Sequence, residues 1–199
     1  MNDNLKVAVI GLNGIGSYFV RSLSETIKKD IQGIRKINPL GIDLIDYDTI
    51  EEKNLAYTVY DIEHIGENKA KVLADITGYK AIQEKIESLD QLKGYDFIIL
   101  AVDNNKVRNL VYDSNKPFLD LRAKGSGVLA FLTQKQLDTD KEYLKVTEND
   151  NKKGGCQYDT DVEENNIEFG NRVVAEIGLQ MLKQYLQGDV KQKQHILLI

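Results

Sequence analysis

The sequence predicts an α/β fold: a Rossmann-like, doubly wound and mostly parallel sheet with flanking helices. Three observations carry that reading. Short apolar runs alternate with helical periodicities along the chain, the pattern of repeated β–α units. The first run, Val7-Ala8-Val9-Ile10, breaks into Gly11-Leu12-Asn13-Gly14-Ile15-Gly16 and then into an amphipathic stretch, which is a strand, a tight turn and a helix. A later run, Phe97-Ile98-Ile99-Leu100-Ala101-Val102, is continuously apolar, as strands covered on both faces of a parallel sheet are.

Taken in order, Lys6 to Ile10 reads as a short buried strand. Ile15, Phe19, Leu23 and Ile27 recur every four residues, so residues 14 to 29 read as a helix with one apolar stripe. Ile42, Leu44 and Ile45 mark a second strand ending at Asp46-Tyr47-Asp48. Ala70, Leu73 and Ile76 share a face of a helix from about Glu67 to Ile76. Tyr79 to Ile86 is a candidate third strand, and residues 97 to 102 are a firm one. A helix follows through Val107, Leu110 and Val111, then strands over Pro117 to Leu121 and Val128 to Thr133. Residues 134 to 166 are polar and aperiodic, the signature of a long loop with little fixed structure. The last helix, about Ile167 to Leu186, places Val173, Val174, Ile177, Met181 and Tyr185 inward. The tail KQKQHILLI is too short for an assignment. The whole, residues 1–199, is expected to form one domain.

Bulk properties narrow the function. The 199 residues suffice for one domain with a real core. At 42% hydrophobic and 29% charged the composition is that of a globular protein, and the net charge of −5 gives no reason to expect nucleic acid, which wants a basic face. No apolar run approaches the roughly 18 residues of a membrane span, and MNDNLK runs directly into a strand, so no signal peptide is expected. The single cysteine allows no internal disulfide and no cysteine-pair zinc site. A cytoplasmic location fits these features.

Ligands of doubly wound sheets sit at the carboxyl ends of the strands, so residues 11–16, 46–48 and 103–108 are the ones to weigh. Gly11, Gly14 and Gly16 allow a tight turn and close approach to a ligand, and the following helix offers free N–H groups to phosphate. The dinucleotide spacing G-x-G-x-x-G would need glycine where Asn13 stands; asparagine tolerates a left-handed backbone there. A turn that binds nothing is the plain alternative. Asp46 stands where an acidic residue bonds ribose hydroxyls, whereas Asp48 suits a turn. Asp103 and Asn104 could both cap the helix that follows, or Asp103 could hold Mg²⁺ beside phosphate. Arg108 is not spaced as a simple helical partner of Asp103. Lys69 opens its helix, where it opposes the helix dipole unless an anion docks there; a solvated lysine is the plain reading. Cys156 lies in KKGGCQYDT without apolar neighbours. Lys152 and Lys153 would lower its pKa and Asp159 and Asp161 would raise it, so nucleophile and incidental thiol both stay open.

Together these motifs resemble the ThiF/MoeB family, the adenylating domain of ubiquitin-activating enzymes and their bacterial relatives. GLNGIG resembles the family's G-x-G-G-x-G with a change at Asn13. IDYDTIEEKNL resembles its D-x-D followed by Asn-Leu, here Asn54-Leu55; IGENKAK resembles its G-x-x-K, with Lys69; DNNKVRN resembles its D-N-x-x-x-R, with Asp103, Asn104 and Arg108. The resemblance implies that Gly11 to Gly16, Asp46 and Asp48 hold ATP, with Asn104 and Arg108 completing the motif beside it. It further implies that Asn54 and Lys69 contact the phosphates and that Asp103 binds Mg²⁺. The reaction implied joins the C-terminal carboxylate of a small ubiquitin-like or sulfur-carrier protein to AMP, with Cys156 as a candidate acceptor of a following thioester. A homodimer is implied; the structural zinc cysteine pairs of many bacterial relatives are missing here, so no zinc is expected. A second departure is that Tyr57 occupies the place of a phosphate-clamping arginine, for which Arg21, Arg35, Lys53 or a partner subunit would have to substitute. Two other readings remain: a catalytically weak nucleotide-binding partner of an active relative, and an NAD-dependent oxidoreductase.

Overall fold

A computed structural model of the chain describes residues 5–29, 37–124, 127–133, 166–190 and 194–198. The strands are β1 (Leu5–Ile10), β2 (Ile37–Ile45), β3 (Lys80–Ile82), β4 (Phe97–Leu100), β5 (Phe118–Lys124), β6 (Gly127–Thr133) and β7 (Gln194–Leu198). The helices are α1 (Gly14–Lys28), α2 (Lys69–Thr77), α3 (Asn105–Asp113) and α4 (Asn166–Gln187), joined in part by 3₁₀ turns at Glu52–Asn54, Ile62–His64 and Leu89–Leu92.

One seven-stranded sheet runs in the order β3-β2-β1-β4-β5-β6-β7. The first five strands are parallel, with Val9 of β1 registered against Leu44 of β2 on one side and Ile99 of β4 on the other. The fold is thus the α/β, Rossmann-like, mostly parallel sheet expected. The far edge differs in detail. β5 and β6 pair antiparallel from Phe118↔Thr133 to Lys124↔Gly127, and the tail pairs antiparallel with β6 as β7. Only two residues separate Lys124 from Gly127, and so short a link can join only antiparallel neighbours.

Because side chains alternate across a strand, the sheet has two apolar faces. Val7 and Val9 of β1 with Phe97 and Ile99 of β4 face α1, α2 and α4, meeting Phe19, Leu23, Leu73, Val174 and Leu182. Ala8, Ile10, Ile98 and Leu100 face the other way, against Val107 and Val111 of α3. The buried stripe of α4 is Val174, Ala175, Leu179, Met181, Leu182 and Leu186, while Val173, Ile177 and Tyr185 are only partly buried. Gly178 explains the rotation: a Cβ there would meet Leu121 Cδ2 at 2.7 Å, so that face lies flat on β5. The third strand is shorter than Tyr79–Ile86, and β4 ends at Leu100 instead of Val102.

Candidate active site

The parallel strands run one way from β1 through β2 to β3 and the other way through β4 to β5. The carboxyl ends of β1, β2 and β4 therefore open onto a switch point, where a crevice forms. The glycine turn leaves β1 there. Gly11 adopts φ +86° and donates its N–H to Ile45 O at 3.1 Å. A Cβ at Gly11 would lie 2.6 Å from Ala101 O, and one at Gly16 would lie 2.9 Å from the carbonyl carbon of Gly11. The first and third glycines thus hold turn and helix against each other and against the β4 exit. Leu12 between them is pinned at both ends: its N–H donates to Asp46 Oδ2 (2.7 Å), and its carbonyl accepts from Tyr60 Oη (2.6 Å).

One expectation changes here. Asn13 has φ −80° and needs no left-handed tolerance; Gly11 alone in the loop takes the positive φ. Gly14, expected to give backbone access for a nucleotide, also has a packing reason to lack a side chain. A Cβ at Gly14 would lie 2.9 Å from Cγ of Asn171, a buried side chain of α4. Asn13 starts α1 without making a side-chain cap, and its Oδ1 is buried with no hydrogen-bond partner. The first N–H groups of α1 have no partner within the helix.

Asp46 ends β2 almost fully buried. Its Oδ1 accepts from Asp48 N (2.9 Å) while Oδ2 holds Leu12, so it braces the loop and each oxygen keeps one further lone pair. Burial raises its pKa above the usual carboxylate value; the two N–H donors and Lys69 pull against that rise. Asn68 caps α2 by accepting from Lys71 N (3.0 Å), and its amide donates to the carbonyls of Asp46 and Asp48 (3.1 Å each). This places Lys69 at the head of α2 beside the loop. Lys69 is not the solvated lysine of the plain reading: it is 5% exposed, with Nζ 3.6 Å from Asp48 Oδ2.

Asn54 is buried in its 3₁₀ turn. Its Oδ1 accepts from Glu51 N (2.9 Å) and its Nδ2 donates to Tyr57 Oη (2.9 Å), which leaves one amide hydrogen for anything else. Tyr57 is itself buried. Of the cations considered as its substitutes, Arg21 lies exposed on α1 beside Glu25 (3.5 Å) and Lys53 is exposed beside Glu51 (2.7 Å). Arg35 lies outside the described residues, as do Cys156 and its charged neighbours.

After β4, Asn104 caps α3 by accepting from Lys106 N (2.9 Å), and Asp103 stands exposed just before it. Arg108 turns inward. It donates to Val102 O and to Asn105 Oδ1 (3.1 Å) and reaches Asp120 Oδ1 through Nε at 3.5 Å. Asp120 is wholly buried and accepts from Tyr112 Oη (2.6 Å) and from Arg122 Nε (3.0 Å). Arg108 therefore braces the turn that carries Asp103. Among the described residues no three His, Cys, Asp or Glu side chains gather as a metal cluster. One carboxylate joined by phosphate oxygens is nonetheless how Mg²⁺ is commonly held, and the exposed Asp103 fits that use.

The arrangement is a glycine turn with an open helix start, flanked by a buried lysine and an exposed carboxylate. A family model described as the ThiF family matches residues 3–159.

The chain belongs to the ThiF family. The SUMO-activating enzyme subunit uba-2 of Caenorhabditis elegans is 27% identical over 137 residues, 61% of this chain and 21% of that protein. Among solved structures, E. coli MccB with ATP superposes with a TM-score of 0.67 at 18% identity, covering 100% of this chain and 61% of that one. PaaA superposes with a TM-score of 0.67 at 17% identity, covering 100% and 70%. The chain thus spans about a fifth of the curated relative and under two thirds of MccB.

Within this ThiF fold, sequence reasoning missed Tyr60, Asp120 and Asn171. All three are polar groups buried by long-range packing, and no local spacing announces them. The one available signal was Asn171 on the otherwise apolar side of α4. No helix among the described residues of this ThiF chain is long and apolar enough to cross a membrane.

Proposed function

We propose that the chain is an ATP-dependent adenylyltransferase that activates the C-terminal carboxylate of a small ubiquitin-like or sulfur-carrier protein, or of a peptide. The observation that carries this reading is Lys69, a nearly buried lysine at the head of α2, whose Nζ lies 3.6 Å from Asp48 just past the end of β2. Burying an ammonium is costly without counter-charge; Asp48 stands at 3.6 Å and the buried Asp46 also feels Lys69, yet neither carboxylate makes a hydrogen-bonded pair with it. A bound polyphosphate would complete it.

In this reading the backbone of Gly11 to Gly16 and the open N–H groups of α1 hold phosphate. Asp46 sets the turn and offers its remaining lone pairs to ribose. Lys69 faces the leaving pyrophosphate and offsets negative charge as it develops. Asp103 is the residue that would hold Mg²⁺, which supplies charge neutralisation when two anions must approach. The substrate carboxylate oxygen bonds to the α-phosphorus and pyrophosphate departs. We extend the proposal to a homodimer working in the cytoplasm, and to Cys156 as acceptor of the acyl group. Cys156→Ala is then expected to leave adenylation intact and block transfer onward, read as loss of a thiol-sensitive adduct on a non-reducing gel.

The test is calorimetry with ATP and NAD, followed by pyrophosphate release with a candidate small protein ending in Gly-Gly. ATP should bind more tightly than NAD; the reverse order would return the chain to the oxidoreductase reading. Tyr57 favours a second reading, a silent nucleotide-binding subunit, because a neutral phenol bonded to Asn54 replaces a cation. Pyrophosphate release that appears only with an added relative would decide for it.

A further inference from the structure

Asn171 belongs to α4, more than 150 residues along the chain from the glycine loop, yet it is 3% exposed and wedged against the start of α1. Three features meet there. Its Nδ2 donates to the carbonyl of Tyr57 at 3.4 Å. Its amide fills the space that a side chain at residue 14 would need. Tyr57 in turn holds Asn54 through its hydroxyl at 2.9 Å. One side chain of α4 therefore touches the first residue of α1 and the turn that carries Asn54.

Neighbouring bonds keep α4 in place. Tyr18 Oη of α1 donates within reach of Glu168 Oε1 (3.1 Å) and of Thr58 O (3.2 Å), and Ser22 bonds Glu176. Gly14 is also not among the residues with positive φ, so its backbone accepts alanine without strain. The three atoms nearest to a side chain built at 14 all belong to Asn171.

We propose that Asn171 is a positioning residue of the nucleotide site: it locks the start of α1 to the Asn54–Tyr57 turn, so that α4 sets the width of the phosphate pocket. This inference rests on the function proposed above. Losing a buried amide with its hydrogen bond lets the two walls move independently, and pocket geometry loosens even where the fold survives.

The experiment is a two-residue cycle on the full chain: Gly14→Ala, Asn171→Ala and the double variant, with Leu179→Ala, a core residue of the same helix, as control. Thermal midpoints are read without nucleotide, and the Kd for ATP by calorimetry. Asn171→Ala should weaken ATP binding roughly tenfold, the scale of one buried polar contact. Leu179→Ala should lower the midpoint at least as much with Kd unchanged. Gly14→Ala should lose both stability and binding, and the double variant should regain part of each, because removing the amide makes room for the new methyl. An Asn171→Ala variant that binds ATP as wild type does, or a double variant whose losses simply add, overturns the inference. Wild-type protein that does not bind ATP overturns the proposed function, and this inference with it.

Discussion

Replacing Gly16 with alanine tests whether the glycine loop is packed as described. The backbone φ of Gly16 is ordinary, and alanine in a helix gains up to about 1 kcal/mol over glycine. On propensity alone the variant should be more stable. Packing opposes this. The added Cβ would lie 2.9 Å from the carbonyl carbon of Gly11 and nearer still to its oxygen, where non-bonded carbons settle at about 3.5–4.0 Å. The obstacle is backbone, and Gly11 has little room to retreat, because even a Cβ built on it would lie 2.6 Å from Ala101 O. Overpacking of this kind costs about 1–3 kcal/mol, and a rigid obstacle puts Gly16 at the upper end. The net loss is about 2 kcal/mol, equivalent to a fall of about 4–8 °C in Tm for a chain of this size. Binding should suffer more, since α1 must shift away from the turn whose N–H groups it presents; the Kd for ATP should rise more than tenfold. Gly78→Ala separates sterics from strain. Gly78 has φ +81° but nothing within 4 Å of a built Cβ, so it should lose about 1–2 kcal/mol through its left-handed backbone with ATP binding unchanged. Differential scanning calorimetry and titration with ATP measure both variants. A Gly16→Ala protein at or above the wild-type Tm, binding ATP normally, would refute the packing argument.

Further outcomes are expected at the flanking residues. Lys69→Ala should lower kcat for pyrophosphate release at least tenfold while changing the Kd for ATP by under about threefold, since a charge facing the leaving group acts mainly in the transition state; equal losses in both would contradict that role. Arg108→Ala should cost about 2–4 kcal/mol in urea unfolding, because it removes bonds to Val102 and Asn105 and one counter-charge of the buried Asp120. Asp103→Ala, at an exposed position outside the cap, should leave the unfolding free energy within about 0.5 kcal/mol of wild type and abolish Mg²⁺-dependent turnover. Burial raises the Asp46 pKa above 3.8, so its contribution to stability is present below pH 3.8 and is lost as pH rises through the higher folded value. The stability of wild type relative to Asp46→Asn should therefore fall from pH 4 upward until Asp46 is fully ionised. A difference that grows with pH would mean that its two N–H bonds outweigh burial.

Local pattern was enough to determine most of the architecture. Strands such as Val7–Ile10 and Phe97–Leu100 are announced by short-range apolar runs, and α1 by its four-residue repeat, because burial on two faces or on one stripe writes itself into neighbouring positions. The motif order also carried the family, since a turn, a helix start and a cap each use residues close in sequence. What neighbours cannot encode was decided by tertiary packing. Whether β6 and β7 would lie antiparallel, which face of α4 would turn inward, and that Lys69 would be buried and not solvated all depend on elements brought from far along the chain. Asn171 shows the same limit: nothing near Gly14 in sequence announces that α4, folded back across α1, supplies an amide that fills the space beside it. Polar groups buried by long-range contacts follow no period, because their partners lie across space and leave no spacing in the sequence to read.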